Sequence, residues 1–565
     1  MTITRLSVDS AGNQANDSSV NPSISADGRF VAFESNASNI VPGDTNNTSD
    51  IFVRDLSTNT TTRVSVDSAG NLANKVSSQP SISANGRFVA FTSEASNLVP
   101  GDTNNVADIF VRDLLTNTTT RVSVDSAGNQ GNFVSSDPSI SANGRFVAFQ
   151  SQGSNLVPGD TNNTNDIFVR DLLTNTTSLV SVDSAGNQAN SDSYYPSISA
   201  DGRFVAFESY SYNLVPGDPN YRYENFVRDT LTNTTTRVSV DSAGNLGNGY
   251  SYTPSISADG RFVAFYSDAT NLVPADDTNN SQDIFVRDLS TNTTTRLSVD
   301  SAGNLGNGDS YSASISADGR FVAFYSDASN LAPGDTNNAP DIFMRDLLTN
   351  TTTRLSVDSA GNQGNADTRG FASPSISADG SRVAFPSSAS NLVPGDTNNR
   401  RDVFVSDIGS TPGGSNNPPK VINGTPGNDN LTGTSGNDII NGSEGDDVLT
   451  GLRASDVLNG GDGNDILSGA KGSDTLNGGL GNDNLVGGAG NDVFVLGAGL
   501  GVDTISDFGN SQDTIQLING LAFGQLSISP GTNGTLITLA GSGEVLASVT
   551  GVAANLIGSE DFISG

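Results

Sequence analysis

The heptapeptide SVDSAGN returns along the chain with its aspartate at Asp9, Asp67, Asp125, Asp183, Asp241, Asp300 and Asp358, in steps of 58, 58, 58, 58, 59 and 58 residues. Each is followed by a copy of SISA(D/N)G, seven in all, starting at Ser23, Ser81, Ser139, Ser197, Ser255, Ser314 and Ser375. A period of this kind means one supersecondary unit used repeatedly, each copy burying its apolar face against the next. Every unit reads like PSISADGRFVAFES, ASNIVPGDTNN, DIFVRDL and TRVSVD. These are short β-branched and aromatic runs punctuated by Gly, Asn, Asp and Pro, a strand-and-turn pattern with no 3.6-residue period. ADG between SIS and RFVAF reads as a tight hairpin whose Gly supplies a positive φ. Four strands per unit (PSIS, RFVAF, DIFVRD and TRVSVD) over seven units predict an all-β chain with a seven-bladed β-propeller at residues 1–409.

The ends of the array are complementary. It opens on a lone fourth strand, TRLSVD (Thr4 to Asp9), and closes on a third strand with no fourth, DVFVSD (Asp402 to Asp407). The N-terminal strand is therefore expected to complete the last blade, which removes an edge that invites aggregation. PSISADGRFVAF followed by DIFVRD resembles the repeat of TolB-like propellers over about residues 4 to 408. The usual signature there is Ser-Pro-Asp-Gly. This chain has Ala for that Pro, an extended SNLVPGDTNN insertion, and seven units where TolB has six blades. The resemblance implies a fold and no partner, since propellers host binding modules, enzymes and scaffolds alike.

TPGGSNNPPK (Thr411 to Lys420) has linker composition, which sets a linker at 410–420. The period then falls to nine, in eight units from Asn423 to Phe494: NGTPGNDNL, TGTSGNDII, NGSEGDDVL, TGLRASDVL, NGGDGNDIL, SGAKGSDTL, NGGLGNDNL and VGGAGNDVF. These resemble the RTX, or haemolysin-type, nonapeptide G-G-x-G-x-D-x-U-x. The resemblance implies a parallel β-roll at 421–497, two nonapeptides per turn, with calcium as cofactor. The U positions Leu431, Ile440, Leu449, Leu458, Leu467, Leu476, Leu485 and Phe494 would form a thin core. The candidate ligands are Asp429, Asp438, Asp447, Asp456, Asp465, Asp474, Asp483 and Asp492. Alternate aspartates would stack on each side, giving up to about six inter-turn sites for a hard cation that takes about 6–8 oxygens. Glycines such as Gly460, Gly461 and Gly463 would let backbone carbonyls turn to the ion. Ala454 replaces a loop glycine, so sites through Asp456 are the doubtful ones. Residues 498–565 read as a β-rich cap in which Asp503, Asp507 and Asp513 are further candidates, and they resemble the C-terminal region of RTX proteins that leave by type I secretion.

Charge fits this scheme. Residues 421–565 hold 17 acidic and two basic side chains, Arg453 and Lys471, for a net −15. Without a cation such a segment repels itself and stays largely disordered; with one, binding energy becomes folding energy. The whole chain carries −34, which argues against nucleic acid and anionic membranes as partners. It has no Cys and no His, which removes disulfides, thiolate chemistry and imidazole-based catalysis. The N-terminus lacks the basic and apolar regions of a signal peptide, and no run of about 18 apolar residues predicts a membrane span.

Three propeller features bear on function. GDTNNTSD (Gly43 to Asp50) faintly resembles a calcium loop, but an Asn/Asp turn explains it. VRD, as at Arg54–Asp55, reads as a surface or inter-blade ion pair. All eleven tyrosines lie between Tyr194 and Tyr325, where other units carry small polar residues. Drift between repeats explains such positions; aromatic rings beside Asp and Asn also suit a sugar or peptide, which makes Tyr194, Tyr195, Tyr250, Tyr252 and Tyr311 the candidate ligand-binding residues. The sequence thus predicts a secreted or cell-surface calcium-binding protein, not an enzyme, whose propeller binds an extracellular glycan or protein and whose roll meets the type I secretion apparatus. A carbohydrate-active hydrolase using a carboxylate pair on the propeller is the alternative.

Overall fold

The computed structural model describes the chain except for residues 218–221, 274–278, 280, 338, 367–372, 409–419, 434–436, 510–512, 519 and 565. It forms two compact units, Met1–Gly409 and Ser410–Gly565. The expected linker lies outside the described residues except for Lys420, which opens a strand.

The first unit is a seven-bladed propeller. Its first blade is an antiparallel sheet of Ser19–Ile24, Phe30–Ser35, Asp50–Asp55 and Thr60–Arg63 in chain order. The seventh blade combines Ser375–Ile376, Arg382–Ser387 and Asp402–Asp407 with Thr2–Arg5, paired as Thr2↔Asp407 and Arg5↔Phe404. The expected latch is present. First strands touch their counterparts in neighbouring blades, as where Ile82 N–H donates to Ser23 Oγ at 3.1 Å, so they line the axis. The third strands of the first six blades are buried along their whole length because each is covered on both faces by adjoining blades. Stacked phenylalanines, such as Phe33 and Phe52 at 5.8 Å, fill the space between sheets. Gly28 has φ 68°, as its hairpin requires; the equivalent Gly86 also lies so close to the Phe30 ring that a Cβ would meet it at 2.2 Å.

Two expectations change in detail, and a third gains a partner. The fourth strand ends at Arg63, not at Asp67. The Asp67 carboxylate accepts the N–H groups of Ala69 and Asn71 at 2.9 and 2.8 Å and folds the chain into a turn. Arg54 and Asp55 do not form a surface pair: Arg54 is 5% exposed and donates to the Asp9 carbonyl of the preceding loop, while Asp55 takes the Arg29 fork at 2.9 and 2.8 Å. The GDTNN segment is a turn whose Asp44 pairs with Arg63 at 2.7 Å.

The second unit is a parallel β-solenoid of about five turns over residues 422–517. Residues 18 apart pair, for example Ile440↔Leu458 and Leu449↔Leu467, in two facing sheets. Ile440 through Phe494 at the U positions are fully buried; Leu431, in the first turn, is only partly so. The cap adds the antiparallel strands Leu526–Pro530, Gly534–Leu539 and Val545–Thr550 to one sheet and Phe562–Ser564 to the other. Ile505, Ile515, Ile537 and Val549 carry the core of the roll into that cap. Among the described residues, no helix is long and apolar enough to cross a membrane.

Candidate metal centre and the divergent propeller mouth

From the third nonapeptide on, the first Gly, the Asp and the U residue are all buried, so the roll encloses a polar column beside its leucines. Asp438, Asp447, Asp456, Asp465, Asp474 and Asp483 are each 1% exposed and Asp492 is fully buried; Asp429, in the first turn, is half-buried. The columns are built by one repeated bond. Asp447 Oδ1 accepts the backbone N–H of Asp429, Asp465 that of Asp447, and Asp483 that of Asp465, at 2.7–2.8 Å. Asp456, Asp474 and Asp492 form the second column on the N–H groups of Asp438, Asp456 and Asp474.

The other carboxylate oxygens behave differently. Oδ2 of Asp447, Asp456, Asp465, Asp474, Asp483 and Asp492 is buried with no hydrogen-bond partner. A buried oxygen of this kind is costly unless something compensates it. Burial pushes Asp465 and Asp474 up to about 6, and Asp456 and Asp492 up to about 7. A hard cation is the compensation that suits such donors, so the residues fit calcium. Among the described residues no three carboxylates converge as a ready-made metal cluster.

The glycines divide by role. Gly461 and Gly463 have φ 115° and 144°, as expected for carbonyls turned by glycine. Gly460 is needed for space instead: a Cβ there would meet Asp465 Oδ2 at 2.2 Å and the Gly478 carbonyl at 2.4 Å. Ala454 takes φ 72°, so the degenerate unit keeps its backbone path, and Asp456 stays in its column. The columns also outrun the nonapeptides. Asp503 accepts Asp483 N–H at 3.2 Å and Asp513 accepts Asp492 N–H at 2.9 Å, across 20 and 21 residues. Asp507 instead takes the N–H groups of Gly487 and Gly488.

In the propeller, divergence between the repeats concentrates at one mouth. The cross-strand pairs Val20↔Glu34, Ser78↔Thr92, Ser136↔Gln150, Tyr194↔Glu208, Tyr252↔Tyr266 and Tyr311↔Tyr325 occupy one register position in six blades. The next residue is a bulge of positive φ: Asn21, Gln79, Asp137, Tyr195, Thr253 and Ser312, at 43–57°. The opposite end repeats the same turn and Arg–Asp fork from blade to blade.

Four of the five expected tyrosines come together here. Tyr194 and Tyr195 lie at 6.2 Å and Tyr250 and Tyr252 at 6.1 Å, and both pairs meet through Tyr223, which the sequence reading did not single out. Tyr311 is apart, in the next blade, against Tyr325 and donating to Asp327 Oδ1 at 2.8 Å. Glu208 was also missed. It is 3% exposed, accepts Thr253 N–H at 2.9 Å, and burial pushes it up to about 7.

Residues 423–458, 442–476, 459–494 and 468–505 match the RTX calcium-binding nonapeptide repeat (4 copies), and such repeats bind calcium. No curated protein matches the sequence. Among solved structures the chain is similar to an oligogalacturonate lyase in complex with manganese, at 13% identity over 72% of this chain and 93% of that one, TM-score 0.45. It is also similar to TolB from Acinetobacter baumannii, at 16% identity over 67% and 80%, TM-score 0.34. A third is the β-propeller domain of the Trilobed protease from Pyrococcus furiosus, at 11% identity over 69% and 95%, TM-score 0.40. Likenesses of this size say nothing of activity.

Proposed function

We propose that this chain, a seven-bladed propeller followed by RTX calcium-binding repeats, is an exported binding protein whose roll sets on extracellular calcium. The observation that carries the reading is the row of partnerless buried Oδ2 atoms from Asp447 to Asp492. Asp429, Asp438, Asp447, Asp456, Asp465, Asp474, Asp483 and Asp492 would hold the ions, together with carbonyls turned by Gly461 and Gly463. Gly460 leaves room for the carboxylate. Calcium supplies the positive charge that a segment of net −15 lacks. In low calcium the segment stays unfolded, a state suited to passage through a type I apparatus. Outside, sites in the range of roughly 10⁻⁴–10⁻³ M would fill. The propeller then displays its divergent mouth to a glycan or protein of the matrix or cell surface.

Circular dichroism of the full chain tests the roll. Strand signal should rise on adding calcium to chelator-treated protein; equal signal in both conditions sinks the calcium-set reading. A second reading, glycoside hydrolysis, is favoured by Glu208, a buried carboxyl with a raised pKa beside tyrosines. Polysaccharide cleavage by the wild type that Glu208→Gln abolishes would establish it.

A further inference from the structure

The tyrosine sector has a geometry and a charge that select a ligand class. Tyr223 sits at its centre, 5.1 Å from Tyr210, 6.0 Å from Tyr252 and 6.3 Å from Tyr194 and Tyr250, with rings inclined by 38–56°. Beside this hub, Tyr250, Tyr252 and Tyr266 form a row of nearly parallel rings, 17° and 26° apart. Tyr250, at one end of this row, is 37% exposed, so the row opens to solvent there; Tyr195, against Tyr194, is 45% exposed.

Carboxylates gather around these rings. Glu208 lies opposite Tyr194 in register, Asp268 accepts Tyr250 N–H at 2.5 Å, and Asp192 accepts Asn165 N–H at 2.9 Å. Burial, then Asp137 and Glu208, push the Tyr195 phenol up to about 12; burial, then Asp268, do the same at Tyr252. Arg222, the nearby guanidinium, is directed to the Gly247 carbonyl at 3.5 Å.

We infer that this mouth binds a polysaccharide of amino sugars carrying free ammonium groups, an assignment that rests on the propeller being a binding module. The outer face of the exposed Tyr250 ring, at the end of the stack, offers an apolar surface to a pyranose ring. The tilted rings and the carboxylates attract a cation, the former through their negative faces. An acidic sugar is repelled here, and a neutral one leaves the carboxylates without a counter-charge. A basic peptide has the charge but no rigid ring to stack on Tyr250.

The chain has no Trp and eleven Tyr, all in the fourth to sixth blades, so its intrinsic fluorescence reports on this sector. Full-length protein in calcium is titrated with a glucosamine oligomer, its N-acetylated counterpart and oligolysine. Saturable change with the glucosamine oligomer is expected, with the N-acetylated form about tenfold weaker or more. Glu208→Gln should narrow that gap, and Tyr250→Ala/Tyr252→Ala should abolish binding while the melting temperature confirms folding. Equal binding of the N-acetylated oligomer, or oligolysine binding as tightly, overturns the assignment. If the glucosamine oligomer is silent while another glycan or protein saturates the same fluorescence, the amino-sugar class fails and the binding module stands. Silence across glycan and protein arrays removes the binding reading as well.

Discussion

Asp465 Oδ1 accepts the backbone N–H of Asp447 at 2.8 Å, one full turn of the roll away, while Asp465 Oδ2 is buried with no hydrogen-bond partner. One carboxylate thus does two things: it locks the register of successive turns and leaves an oxygen for a cation. The two can be separated. Asp465→Asn keeps an oxygen for the Asp447 N–H and removes the charge. The calcium midpoint for folding, followed by circular dichroism, should shift upward about tenfold, roughly 1.4 kcal/mol. Asp465→Ala removes the register bond as well and should shift it further. An Asn variant that titrates like the wild type would show that the orphan oxygen has no part in calcium binding.

Gly460 and Ala454 should respond in opposite directions. A methyl on Gly460 meets a backbone carbonyl at 2.4 Å, which cannot rotate away, so Gly460→Ala should destabilise the calcium-loaded roll by about 3 kcal/mol. Ala454 already sits at φ 72°, where an L residue is strained by roughly 1–2 kcal/mol. Ala454→Gly should therefore stabilise the roll by about 1 kcal/mol, less the entropy that glycine adds to the unfolded chain. Urea unfolding in saturating calcium measures both.

The third blade lacks a cation that the others have. Arg63 spans Asp44 at 2.7 Å and Asp50 at 3.7 Å, and Arg354 spans Asp335 and Asp341 at 3.4 and 3.3 Å. Leu179 occupies the same register position, leaving Asp160 and the buried Asp166 bridged by Gln188. Burial pushes Asp166 up to about 6. Leu179→Arg should stabilise the propeller by on the order of 1–3 kcal/mol near neutral pH, because the desolvation of the carboxylate is already incurred. Below about pH 5 the gain should shrink as Asp166 takes up a proton. Thermal melts followed by tyrosine fluorescence at both pH values check this.

The propeller should be most stable in mildly acid solution. The Arg29 guanidinium holds Asp55 well below the usual carboxylate range; at Asp171 burial opposes, yet the Arg145 fork and backbone N–H groups hold it at about 2. Groups lowered in the folded state contribute stability above their ordinary value of 3.8, and it is lost as pH falls through the folded value. Asp137 and Glu208, raised by burial to about 6 and about 7, act with the opposite sign, costing stability as pH climbs past their ordinary values. The melting temperature at fixed calcium should therefore peak between about pH 4 and 6. A monotonic rise to pH 8 would contradict the burial of Glu208.

What could be seen in the sequence follows from periodicity. The blade count and strand order were legible because a 58-residue repeat fixes the spacing of every strand, and the latch because one end lacks what the other has spare. The roll register was legible because nine-residue units put Asp447 above Asp465. Partners across blades were not. Arg54 and Asp55 are adjacent in the chain, yet one serves the preceding loop and the other Arg29. Nor was the tyrosine hub: Tyr223, Glu208 and Tyr252 stand in different columns of the repeat, and only the bulge and register bring those columns to one mouth. Stacking the units and reading down the column of Glu34, Thr92, Gln150, Glu208, Tyr266 and Tyr325 singles out Glu208 and Tyr266, but not Tyr223 or Tyr252.

Ring closure rests on a few residues at the N-terminus. Thr2–Arg5 supplies the outer strand of the seventh blade, Leu6 N–H donates to the Val403 carbonyl at 2.7 Å, and Ser7 Oγ donates to Asp402 Oδ1 at 2.6 Å. Deleting residues 1–7 would bare the Asp402–Asp407 edge and leave the fully buried Asp402 carboxylate short of a partner. Ser7→Ala alone should cost about 1–3 kcal/mol, the penalty for a buried acceptor left unmade. The deletion should cost far more and turn a cooperative melt into early aggregation, seen by light scattering. Added peptide spanning residues 1–9 should restore part of the lost stability by re-forming the strand. A deletion variant that melts like the intact chain would mean that the ring closes by its inner strands, where Ile24 N–H already donates to Ser375 Oγ at 3.0 Å, and that the outer strand is dispensable.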